Sequence, residues 1–230
     1  MVQLIKVEDR EEGQVKAHDL LKDLVDGETL LALSGGTSPN YRKMIVEPAD
    51  ILPGAICVVD ERYGEPFHSE STEFLLKNQG VKEYADKNCI ETHKILKGKD
   101  LIETGEVYAK EIEELFGRFK RRVGLMGVGA NLHTGGIFPY SLAAKSPEFA
   151  VGETVDDTFT QRVSITLKAL GEFTNFVILM FGPAKQGALK IILNENENDM
   201  QKYPAIFYRK ASIKSYLITC ELRHSGKRMT

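Results

Sequence analysis

Residues 30–39 read Leu-Leu-Ala-Leu-Ser-Gly-Gly-Thr-Ser-Pro, an apolar run that breaks abruptly on a glycine pair flanked by hydroxyls. The apolar run predicts a short buried strand over Thr29–Leu33, and the pattern from Pro39 to Val46 predicts a helix directly after it. Two glycines let the backbone turn sharply and approach a ligand closely. Pro39 suits a first helical turn, where its missing N–H costs nothing. A strand–glycine turn–helix junction presents free amides and the positive end of a helix to one point, and hydroxyls of Ser34, Thr37 and Ser38 add donors. That chemistry receives an anion. No Gly-Lys-Ser/Thr follows, so this is not a Walker loop, and the Gly-x-Gly-x-x-Gly of a dinucleotide site is missing.

The same alternation runs outward in both directions. Further strands are expected at Ala55–Asp60, Arg122–Met126, Asn175–Phe181 and Ser215–Cys220, each brief and bounded by glycine, proline or polar residues. Between them, helices are expected at Glu11–Val25, Ser71–Asn78, Asp100–Phe119 and Pro183–Leu193. The longest carries Leu101, Val107, Ile112, Leu115 and Phe116 at helical spacing among charges. Alternating strands and helices predict an α/β fold, a mostly parallel twisted sheet flanked by helices on both faces in a Rossmann-like arrangement. One domain over residues 1–230 accommodates it. The acidic stretch Tyr140–Thr160 lacks regular pattern and is long for a connector, so it reads either as a lid near the site or as a surface excursion.

A net charge of −3 gives nucleic acid no general reason to bind, and 42% hydrophobic with 27% charged residues is a soluble globular balance. No apolar run suits a signal peptide or a membrane span, so a cytoplasmic protein without a membrane partner is expected. Three cysteines form no Cys-x-x-Cys pair; Cys57 and Cys220 sit in apolar runs and read as buried thiols. The basic stretch from Arg223 to Thr230 reads as a solvated tail.

Two more segments end strands on the rim where the turn lies. Val58-Val59-Asp60-Glu61-Arg62-Tyr63 places carboxylates and a guanidinium there. Gly127-Val128-Gly129-Ala130-Asn131-Leu132-His133 places a histidine on a glycine-rich exit. A neutral imidazole is the commonest general base near pH 7, so His133 is the candidate base. No histidine pair shows metal-ligand spacing, so no metal is expected.

Taken together, LALSGGTSPNY, VVDERYGEPFHSEST and GLMGVGANLHTGGIFP resemble the 6-phosphogluconolactonase and glucosamine-6-phosphate deaminase superfamily, and most closely its lactonases. Weaker marks are Arg162-Val163-Ser164-Ile165-Thr166 and Phe181-Gly182-Pro183-Ala184-Lys185. The resemblance implies a small sugar phosphate as partner. Ser34, Gly35, Gly36, Thr37 and Ser38 would cradle its phosphate, with Arg162 and Lys185 supplying opposing charge. It makes Asp60 the match of a proton-transferring aspartate in deaminases, Arg62 the match of a lactonase arginine, and His133 the catalytic histidine with Asn131 beside it. His133 would activate water against a lactone carbonyl. No cofactor is implied, because that carbonyl is already electrophilic.

Several positions depart from the family pattern. Asn131-Leu132-His133 stands where Asp-Gly-His is usual, Gly135-Gly136 where lactonases carry Ala-Ser, and Ser71-Thr72 where Ser-Asn is usual. In serine proteases the comparable Asp→Asn change beside a catalytic histidine costs on the order of 10⁴ in rate. Leu132 in place of glycine opposes a left-handed turn and predicts a different loop path. Ile137-Phe138-Pro139 lacks the glutamate that deaminases place after the histidine. Three activities therefore stay open: lactone hydrolysis, deamination or isomerisation of an amino-sugar phosphate, and sugar-phosphate binding without turnover.

Overall fold

A computed structural model describes residues 2–220, so the tail expected from Arg223 lies outside the described residues. The strands are β1 (Val2–Val7), β2 (Thr29–Leu33), β3 (Ala55–Val58), β4 (Asp60–Arg62), β5 (Glu91–His93), β6 (Arg121–Gly127), β7 (Ala150–Thr154), β8 (Gln161–Ile165), β9 (Asn175–Leu179) and β10 (Lys214–Cys220). Seven of them form one all-parallel sheet in the order β1-β10-β9-β6-β2-β3-β5. The other three form a small antiparallel sheet, β4-β8-β7. The helices flanking them are α1 (Arg10–Leu24), α2 (Thr72–Asn78), α3 (Val81–Lys87), α4 (Leu101–Arg118), α5 (Leu167–Leu170), α6 (Gln186–Leu193) and α7 (Phe207–Lys210).

The local reasons are visible in the sequence. Every residue of β2 is buried, as a strand covered on both faces requires. Asp9 and Asp100 open α1 and α4 by accepting the amides of Glu12 and Glu103, each at 2.9 Å. Helix α4 then buries Tyr108, Ile112, Leu115 and Phe116 along one face.

Three expectations change. First, the run Ala55–Asp60 is not one strand. It leaves the parallel sheet at Val59, whose amide still donates to Leu33 (2.9 Å) while its carbonyl accepts from Ile165 (3.0 Å). Asp60 therefore starts β4 and is held in register by Ser164 of β8. Second, the helix expected over Pro39–Val46 shrinks to one wide turn, Arg42–Val46, closed from Glu47 N–H to the Arg42 carbonyl at 2.9 Å. Asn40, one residue after Pro39, caps it through Lys43 N–H at 3.1 Å. Residues 37–40 are drawn onto α1 instead: Gln14 donates to the Ser38 carbonyl (2.9 Å) and accepts from Asn40 N–H (3.0 Å). Third, Tyr140–Thr160 is not without regular structure. It contains β7, and Glu153 of β7 accepts the amides of Leu142 (2.6 Å) and Ala143 (3.0 Å). A Cβ on Gly152 would lie 2.0 Å from the Leu101 carbonyl oxygen, so the segment is packed tightly on the start of α4.

Cys57 is buried as expected, whereas Cys220 at the end of β10 is only half-buried. Among the described residues no helix is long and apolar enough to cross a membrane.

Candidate active site

Strands β9, β6, β2 and β3 are neighbours in the parallel sheet, and the segments leaving their carboxyl ends meet in one cleft of about 240 Å³. The turn Ser34–Ser38 forms one side. Asp60, Arg62, His133, Arg162 and Lys185 complete it, so ten of the eleven residues singled out in the sequence share this cleft. The eleventh, Asn131, acts behind His133 rather than lining the space.

The turn is built by neighbours that hold its carbonyls outward. The Arg10 guanidinium donates to the Thr37 carbonyl and to that of Ser38 (3.1 Å), beside the Gln14 bond to the same oxygen. Gly36 sits at φ 96°, a conformation that suits glycine. Among the described residues, the amides of Gly35, Gly36, Thr37 and Ser38 donate to no protein acceptor. Their free donors, more than the dipole of a short distant turn, are what this segment can offer an anion. Two of the hydroxyls also serve as acceptors. Ser34 Oγ accepts Gly127 N–H at 3.0 Å and ties the turn to the histidine loop, while Ser38 Oγ accepts from Lys185 Nζ at 2.9 Å. Burial, aided by Arg10, pulls the Lys185 ammonium below the usual lysine range. Arg10 and Gln14 were not read from the sequence; on a helix face, ordinary surface polars give no signal until the fold sets them against the turn.

The histidine loop keeps a left-handed turn despite its leucine. Leu132 lies at φ 67° and is 3% exposed. Its amide donates to Gly129 (3.1 Å) and its carbonyl accepts from Ala205 (3.0 Å), which holds the left-handed turn in place. Left-handed backbone costs about 1–2 kcal/mol, which burial of the leucine side chain offsets. The His133 ring lies directly over Gly129, where a Cβ would come within 2.2 Å of it. Its other face stacks on Phe138, with centroids 4.6 Å apart. The Gly135-Gly136 departure also has a spatial cause: a Cβ on Gly136 would meet Ser164 Oγ at 2.8 Å and Asp60 Cβ at 3.0 Å.

Asn131 Oδ1 lies 2.6 Å from His133 Nδ1 and also accepts the His133 amide at 3.2 Å. The backbone donor fixes which end of the amide is oxygen, so Nδ1 carries the proton and Nε2 is left as the lone-pair nitrogen. An asparagine thus sets the tautomer a general base needs, without the charge an aspartate would add. Burial lowers the His133 pKa; Asp60 and Asp157 pull it up, Arg162 and Lys185 push it down, and the net result lies below the ordinary histidine value.

Arg162 is buried and already engaged. It donates to Asp157 (2.6 Å) and to the Phe159 carbonyl (3.1 Å), with Nη1 4.0 Å from Asp60. Asp60 Oδ1 is buried without a hydrogen-bond partner. Arg62 donates to the Glu70 carbonyl at 2.8 Å and lies 5.5 Å from the Phe159 ring centre. Glu61, between them, points away from the cleft and accepts the amides of Arg62 (2.8 Å), Thr72 (2.6 Å) and Glu73 (2.9 Å). Burial pushes its carboxyl up to about 8 against the pull of those amides.

Comparison with known proteins agrees with this architecture. A glucosamine-6-phosphate deaminase of Enterococcus faecalis is 24% identical over 204 residues, spanning 82% of this chain and 85% of the relative. The 6-phosphogluconolactonase of Trypanosoma brucei superposes with a TM-score of 0.80 at 17% identity over 96% of each chain. A monomeric glucosamine-6-phosphate deaminase gives 0.77 at 16% identity, over 94% of this chain and 97% of that one. At such identities the superpositions speak for the fold. Residues 14–216 match the family described as glucosamine-6-phosphate isomerases/6-phosphogluconolactonase, and the chain belongs to that family.

Proposed function

We propose that the protein hydrolyses a sugar-phosphate lactone of the 6-phosphogluconolactone type to the open sugar-acid phosphate. The observation that carries this reading is His133, its Nδ1 proton held by Asn131 and its Nε2 unengaged, in a cleft with four free amides. The phosphate would lie on the amides of Gly35–Ser38, with the Lys185 ammonium against it. His133 Nε2 would take a proton from water as the oxygen attacks the lactone carbonyl, and the imidazolium would return it to the ring oxygen as that C–O bond breaks. The acid product then ionises and releases one proton. Arg162, held between Asp157 and Asp60, would face the developing negative charge through Nη1. A small sugar phosphate is the partner, with no cofactor required.

Deamination of an amino-sugar phosphate is the second reading, favoured by the unpartnered Asp60 Oδ1 and by the Enterococcus relative. Against it, the segment after the histidine, Ile137-Phe138-Pro139, brings no second carboxylate to the ring. The two readings separate in one experiment that offers the protein freshly made 6-phosphogluconolactone and, separately, glucosamine 6-phosphate. Proton release above the spontaneous rate with no ammonia is expected. Ammonia release would replace the first reading by the second. Neither, with 6-phosphogluconate binding retained, would leave a binding protein.

A further inference from the structure

A second cavity, about 320 Å³, opens between the β3–β5 edge of the parallel sheet and helices α2 and α3. Its lining is largely apolar, from Ile56, Val58, Leu76 and Val81. Thr92 and His93 of β5 and the lysines of the rim add polar atoms, and Glu73 is the one carboxylate in the lining. Glu73 is 4% exposed; its Oε1 accepts Leu96 N–H at 2.9 Å and the Ile95 amide lies close by, while its buried Oε2 makes no hydrogen bond of good geometry among the described residues. A buried carboxylate oxygen without a donor is costly, and a ligand that brings one relieves the cost.

The mouth carries opposite charge. Phe67 is held at φ 61°, a conformation a phenylalanine adopts at a cost. The ammonium groups of Lys94 and Lys77 lie 5.3 and 5.8 Å from its ring centre. Neither lysine has an ion-pair partner among the described residues, whereas Lys82 on the same rim is paired with Asp86 at 2.6 Å. An apolar slot, an inner acceptor and an outer pair of cations define one kind of guest.

We propose that this cavity is a second ligand site, for an aromatic anion that carries an N–H donor on the side of its ring remote from its charge. A purine nucleotide has that chemistry: the ring fills the slot, the exocyclic amine donates to Glu73 Oε2, and the phosphate meets Lys77 and Lys94. The site shares a wall with the catalytic cleft. Glu73 N–H donates to Glu61 Oε2, and Glu61 stands between Asp60 and Arg62 on β4.

Calorimetric titration with adenosine 5′-monophosphate tests the proposal, with adenosine and ribose 5-phosphate as partial ligands. The nucleotide is expected to bind the wild-type chain, with adenosine weaker for lack of charge. Glu73→Gln and the double variant Lys77→Ala/Lys94→Ala should each weaken binding about tenfold or more, the worth of a charge-assisted hydrogen bond. Lys185→Ala, in the other cleft, should leave nucleotide binding unchanged. The double variant alters only exposed side chains, so it decides the matter even if Glu73→Gln fails to fold. No binding at millimolar nucleotide, equal affinity in the double variant, loss of nucleotide binding in Lys185→Ala, or ribose 5-phosphate binding Lys185→Ala as tightly as the nucleotide does would each overturn the proposal.

Discussion

The two ends of the cleft are built on different principles. In the proposed reaction the Ser34–Ser38 turn works mainly through backbone amides, joined by the Lys185 ammonium, while other side chains aim them: Arg10 and Gln14 hold the carbonyls away, and Ser34 ties the turn to β6. At the other end the working group is one side chain, His133, whose tautomer, ring plane and basicity each depend on a named neighbour. A receptor made of backbone tolerates changes of residue as long as the path is kept. A base made of one imidazole does not. The departures from the family pattern are most numerous around the histidine, at Asn131, Leu132 and Gly135-Gly136, while the turn itself keeps its pattern and only Thr72, packed against Gly35, departs beneath it.

Substitutions at the two ends should therefore fail in different ways. The largest effect is expected from His133→Ala, which should lower kcat by about 10²–10⁴ with little change in KM. Lys185→Ala should do the reverse, raising KM about 10- to 100-fold with kcat nearly kept, because it removes one charge-assisted contact to a phosphate. Comparable losses of kcat in both variants would break the comparison.

Asn131→Asp sharpens it. A carboxylate beside Nδ1 favours the imidazolium, so the acid limb of the rate–pH profile should move up by about one unit, with kcat raised several-fold. The wild-type limb should lie below the ordinary histidine value, since burial disfavours the charged ring: activity is held as pH falls past about 6.5 and is lost only below it. An acid limb above that value in the wild type would contradict the environment described for His133.

Arg10→Ala tests whether the turn is aimed from α1. It removes donors to two carbonyls without touching the cleft lining, so KM should rise by about 3- to 10-fold and kcat should hold. The smallest effect is expected at Leu132→Gly, where relief of left-handed strain is outweighed by lost burial, leaving the protein about 1 kcal/mol less stable to denaturant.

Much of this was legible before the structure. The apolar runs at Thr29–Leu33, Arg122–Met126 and Asn175–Phe181 announce the middle of a parallel sheet because a strand covered on both faces has no polar residues to blur it. Edge strands carry no such mark. β5 is Glu-Thr-His, two of its three residues exposed, and β8 begins with an exposed glutamine. The whole β4-β8-β7 sheet was consequently missed, and with it the reason Asp60 points into the cleft: it leaves the main sheet at Val59 and pairs with Ser164. The turn and the histidine loop stand out because glycine-rich strand exits announce themselves, whereas Arg162 and Lys185 follow only from the family resemblance. The residues that aim the turn and the loop, Arg10, Gln14 and Thr134, do not stand out, since their partners lie far away in sequence. Thr134 illustrates the point, bonding to the Gly127 carbonyl at 3.0 Å and to the Tyr208 hydroxyl at 2.6 Å. Leu132 shows the opposite failure: local steric preference was read correctly and lost to tertiary packing.

The central claim of the proposal is that the backbone turn binds while His133 moves the proton. Its most direct test is proton release from freshly generated 6-phosphogluconolactone, followed at constant pH with wild type and His133→Ala, whose affinities for 6-phosphogluconate are measured separately. The wild-type protein should exceed the spontaneous rate, and the variant, though it binds the product as before, should not. Equal rates for wild type, variant and buffer, or undiminished catalysis in the variant, would contradict it.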